Sequence, residues 1–68
     1  MSEDEQKVFQ ERAEKQIDNL TLFLSQLRKA IREDDPMEME FKKIVVEECS
    51  ENLIGLVEQR INEKENKE

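Results

Sequence analysis

Apolar residues in the first half of the chain recur at spacings that alternate between four and three, at Ala13, Ile17, Leu20, Leu24, Leu27 and Ile31. That alternation is the a/d seam of a heptad, and it predicts a helix that packs against a neighbour along its whole length. Phe9, Phe23 and Ala30 widen the stripe on one flank. A stripe wider than a/d suits a helical bundle better than a bare two-stranded coiled coil. The rhythm returns in the second half at Met39, Val46, Cys49, Leu53 and Leu56, with Val45 and Val57 beside it.

Between the two runs stands Asp34-Asp35-Pro36-Met37-Glu38. Pro36 disfavours helical backbone at Asp35 and has no N–H to donate, so the first helix must end near Glu33 or Asp34. Asp35 is suited to cap the next helix, Pro36 to open it, and Glu38 to return a hydrogen bond to the Asp35 N–H. A second capping box, Ser2 with Glu5, opens the first helix. The pattern therefore predicts an all-α antiparallel two-helix hairpin as a single domain over residues 1–68. Helix 1 is expected at about 3–33, the bend at 34–35, helix 2 at about 36–62 and a frayed polar tail at 63–68. Ser50 offers a cap for a short third helix and Gly55 a kink or a close helix crossing. The apolar period survives both positions, so helix 2 is expected to be continuous.

Folding the chain back at Asp35 matches Ile31 with Met39, Leu24 with Val46, Leu20 with Cys49, Ile17 with Leu53 and Ala13 with Leu56. Leu20, Leu24, Leu53 and Leu56 then form the central layer. Gln10 falls near Arg60, and Lys42 interrupts the seam where its stem can cover Leu27. Met37, Phe41, Ile44, Ile54 and Ile61 are left outside this contact. Several exposed apolar residues along one helix predict a second neighbour, and a homodimeric four-helix bundle supplies one.

Composition strengthens that expectation. A chain of 68 residues with three Phe, no Trp and no Tyr builds a thin core. One cysteine and no histidine exclude disulfide and imidazole-metal reinforcement within the chain, which leaves oligomerisation. Cys49, on the seam, reads as a small buried hydrophobe, since Glu47, Glu48 and Glu51 are not the basic neighbours a reactive thiol needs. Met37 and Met39 read as filling at the bend. The lone cysteine and the acidic Ser2–Glu5 start predict a cytoplasmic protein, and no apolar run is long enough to span a bilayer.

The formal charge of −7 disfavours direct nucleic-acid binding and anionic membranes, and favours a basic or apolar protein partner. The excess is uneven: seven acids face six bases through Glu33, and eleven face five from Asp34 onward. Helix 2 interleaves its acids with apolar residues. The candidate partner-binding residues are Phe41, Ile44, Glu47, Glu51, Ile54 and Glu58.

Candidate chemistry is sparse. Without histidine no triad forms, and a single glycine excludes Gly-rich phosphate loops. Glu11/Glu14 and Glu48/Glu51, with Asp18 nearby, have the spacing of Mg²⁺ ligands in all-helical nucleotide pyrophosphohydrolases. Glu48 and Glu51 lie off the seam, however, and Glu-rich helices produce that spacing by chance. Di-iron bundles need Glu-x-x-His pairs that this chain cannot form. No catalytic residue, cofactor or metal is expected. The architecture resembles in outline the small helical hairpins that dimerise into four-helix bundles, among them plasmid copy-number regulators, and the hairpin co-chaperones of type III secretion. It shares no motif with them, and likeness of shape carries no function. The expected role is a small acidic protein–protein interaction module, an adaptor, small chaperone or regulator of another protein. A Mg²⁺-dependent pyrophosphohydrolase and an acidic mimic of nucleic acid are the alternatives.

Overall fold

The computed structural model describes residues 3–66, and the Ser2 half of the first capping box lies outside them. Two helices, α1 (Glu3–Arg32) and α2 (Pro36–Asn66), pack against each other as an all-α hairpin. The backbone envelope is 49 × 17 × 12 Å, so the molecule is one helix thick. Its radius of gyration of 15.6 Å far exceeds the roughly 11 Å of a globular domain of this length.

The bend is built from overlapping caps. The Asp35 N–H donates to the Ala30 carbonyl and the Asp34 N–H to the Ile31 carbonyl, both at 3.1 Å, the paired bonds of a Schellman motif. That motif requires left-handed backbone at Asp34, which has φ 55°. Asp35, the last residue of this motif, is also the N-cap of α2: its Oδ1 accepts the Glu38 N–H at 3.3 Å, and its carbonyl accepts the Met39 N–H at 2.9 Å. The reciprocal bond expected from Glu38 is absent, because the Asp35 N–H is already committed to Ala30. The Glu38 carboxylate instead faces the Lys42 Nζ at 3.9 Å.

α2 extends past the expected end near residue 62 to Asn66, so residues 63–66 of the expected tail are helical. The Arg60–Glu63 pair at 3.5 Å and Lys64 in the last turn both favour this extension. The helix runs unbroken through Ser50 and Gly55. A Cβ placed on Gly55 would meet nothing within 4 Å, so this glycine serves no close crossing.

The α2 seam follows the sequence pattern. Met39, Lys42, Val46, Cys49, Leu53, Leu56 and Arg60 are the half-buried line, with Val45, Ser50 and Val57 at its edges. The α1 seam is rotated by one position from the expected one. Phe9, Ala13, Gln16, Leu20, Phe23, Leu27 and Ala30 turn inward, whereas Ile17 and Leu24 are each 47% exposed and Ile31 is 57% exposed. Leu24 therefore does not belong to the central layer. At the open end the Arg60 guanidinium lies 5.7 Å from the centre of the Phe9 ring, which puts these two seam positions at one level. Carrying that level along both heptads faces Ala13 with Leu56, Gln16 with Leu53, Leu20 with Cys49, Phe23 with Val46, Leu27 with Lys42 and Ala30 with Met39.

Two features favour this seam over the expected one. It covers two phenylalanines, the side chains with most apolar area to hide. It also puts Ala30 rather than Ile31 inward beside the short bend, where the helices are forced close together. Among the described residues only Ala13 (8% exposed) and Ala30 (4%) are buried, and no large side chain is fully enclosed. The hairpin has a seam but no core.

Candidate interaction surface

With seam positions a and d turned inward, positions b, c and f of α2 point away from α1. All six candidate residues fall there: Phe41 at c, Ile44, Glu51 and Glu58 at f, and Glu47 and Ile54 at b, every one of them exposed. Phe41 and Ile44 lie on adjacent turns near the bend, while Ile54 stands nearer the open end. Met37 joins Phe41 and Ile44 on the bend side, outside the helix contact as its place along α2 predicts and not as filling at the bend. The Lys42 Nζ lies 5.0 Å from the centre of the Phe41 ring, a cation–π contact that leaves most of the ring open. Lys43 pairs with Glu40 at 3.6 Å. Among the described residues, no cation lies within ion-pair distance of Glu47, Glu51 or Glu58. The outward side of α2 thus carries carboxylates that the chain itself leaves unneutralised.

A second apolar surface comes from the rotated seam. Seen end-on, antiparallel helices run their heptad positions in opposite senses, so the e flanks of α1 and α2 share one open face and the g flanks the other. The e face carries Gln10, Ile17, Leu24 and Ile31 from α1 beside Lys43, Ser50 and Val57 from α2, with Ile54 and Ile61 on its border. The g face carries Arg12, Asn19 and Gln26 opposite Val45, Asn52 and Gln59. One side of the hairpin is therefore mainly aliphatic and the other mainly polar. Sequence reasoning assigned Ile17, Leu24 and Ile31 to the seam. The signal that could have exposed them as a separate surface was the extra width of the α1 stripe. Val8 and Leu22 are also exposed, on the outward side of α1.

The acidic pairs considered for Mg²⁺ do not converge. Glu11, Glu14, Asp18, Glu48 and Glu51 are all exposed, and no group of three or more His, Cys, Asp or Glu suited to a metal occurs among the described residues. Cys49 is a half-buried thiol facing the seam. No helix among the described residues is long and apolar enough to cross a membrane. No protein-family model, curated protein or solved structure matches this chain.

Proposed function

We propose that this chain is a self-associating helical hairpin, forming a homodimeric four-helix bundle, that works as an acidic protein–protein interaction module in the cytoplasm. One observation carries the reading. Ten large apolar side chains are exposed among the described residues, while only two alanines are buried. A helical hairpin with this balance needs further layers to hide its apolar surface.

The docking surface is the outward side of α2, centred on Phe41, Ile44, Glu47, Glu51, Ile54 and Glu58. Its partner is a basic amphipathic helix. Unneutralised carboxylates attract such a partner and raise its association rate, while the apolar side chains supply affinity by slowing its release. No residue is assigned a catalytic role and no cofactor is invoked.

The test uses a synthetic Lys/Leu amphipathic helical peptide, with a Glu/Leu peptide of the same pattern as control. The basic peptide is expected to bind with an association rate that falls as salt rises. Replacing Glu47, Glu51 and Glu58 with Gln lowers and flattens that dependence, whereas Ile44→Ala mainly raises the dissociation rate. Equal binding of both peptides, or unchanged kinetics after charge neutralisation, would refute the docking assignment.

A further inference from the structure

We infer that a second copy of this chain covers the aliphatic e face, with Leu24 at the middle of the contact, leaving most of the acidic outward side of α2 free in the assembled protein. The inference rests on the self-association proposed above and assigns the surface that performs it. Two independent observations choose that surface and its occupant.

The first is area. A compact monomer of 8.1 kDa exposes about 4,500 Å², whereas this chain exposes 5691 Å². The excess is about 1,200 Å² per chain, or about 2,400 Å² for a pair, within the range of obligate homodimers and above that of weak encounter contacts. Covering that excess takes an interface of the size a second copy supplies.

The second is charge. The outward side of α2 carries Glu40, Glu47, Glu48, Glu51 and Glu58, and two copies meeting there would oppose rows of like charge. Around Leu24 the e face carries Ile17, Ile31, Ser50 and Val57, while Lys43, a charged e position on α2, lies towards the bend and is paired with Glu40. Its edges carry both signs, with Lys7, Glu14 and Arg28 on α1 and Glu40 and Glu47 on α2. Self-association tolerates a mixed rim and is opposed by a single-sign one. The polar g face offers no comparable aliphatic strip. Dimerisation and docking thus centre on different strips that adjoin along Glu47 and Ile54, with Phe41, Ile44, Glu51 and Glu58 clear of the dimer contact, and the dimer presents two acidic faces at once.

Three variants measured by sedimentation equilibrium, with helicity followed by circular dichroism, test the assignment. Leu24 and Ile44 are 47% and 44% exposed, so Leu24→Glu and Ile44→Glu add the same charge at sites of equal accessibility. The parent and Ile44→Glu are expected at twice 8.1 kDa. Leu24→Glu places an unpaired charge in the contact and is expected to weaken the dimer by about a hundredfold or more. Should Leu24→Glu lose helix at micromolar concentration, Leu24→Ala provides the second reading and is expected to weaken the dimer by about tenfold. Dimers of Leu24→Glu or Leu24→Ala as tight as the parent's, or Ile44→Glu disrupting the dimer as strongly as Leu24→Glu, would overturn the assignment of the face while leaving self-association intact. A monomeric parent would overturn both.

Discussion

The bend depends on left-handed backbone at residue 34, and substitution there tests it without touching either proposed contact face. Asp34 has φ 55°, a conformation that costs ordinary L-residues about 1–2 kcal/mol, less for Asp, whose short side chain can bond locally. A β-branched side chain at positive φ costs more than an ordinary residue, so after Asp34's own smaller cost is subtracted Asp34→Val is expected to destabilise each hairpin by about 1–2 kcal/mol. Asp34→Gly relieves the strain but adds about 0.5–1 kcal/mol of chain entropy to the unfolded state, leaving stability near or slightly above the parent's. Charge changes little, because residue 34 sits between the negative end of α1 and the positive end of α2, whose influences oppose. With about 2.1 cal/mol/K of unfolding entropy per residue over 68 residues, each 1 kcal/mol moves the midpoint by about 7 °C. Asp34→Val should therefore melt about 7–14 °C below the parent. A dimer has two bends and twice the entropy, so the shift is the same for either assembly. The assay is thermal unfolding followed at 222 nm, at matched concentration, with oligomeric state checked for each variant. A Val variant melting within about 2 °C of the parent, its helix content unchanged, would show that residue 34 does not hold the left-handed conformation, and the cap assignment would fail.

Three further outcomes follow from the packing. Ala30 is 4% exposed, so Ala30→Leu should overpack the seam and cost about 1–3 kcal/mol in denaturant unfolding; an unchanged midpoint would place Ala30 outside the seam. Gly55 lies within α2 with open space where a Cβ would stand, so Gly55→Ala should stabilise by about 0.5–1 kcal/mol. A loss of stability there would mean that something approaches Gly55 closely. Asp35→Ala removes the acceptor of the Glu38 N–H and should cost about 1 kcal/mol of thermal stability, a loss that an Asp35→Ser variant should largely avoid.

The sequence by itself determined the hairpin, its turning point and the inward face of α2. Pro36 and the Asp35 cap act within a few residues, so the turning point is legible along the chain, and the line from Met39 to Leu56 marks the inward face of α2 although Met37, Phe41, Ile44, Ile54 and Ile61 place apolar side chains off it. The exposure of Phe41, Ile44, Glu47, Glu51, Ile54 and Glu58 follows from that seam, because they lie opposite it. Tertiary structure decided which edge of the α1 stripe faces α2. Seams through Ile17, Leu24 and Ile31 and through Phe9, Gln16, Phe23 and Ala30 share Ala13, Leu20 and Leu27, and both satisfy the same period. Only the opposing helix separates them, by how much ring area it covers and how closely it must approach beside a short bend. The left-handed Asp34 was hidden for a related reason: no glycine marks it, and two paired carbonyls of α1, together with the immediate start of α2, impose the conformation on an aspartate.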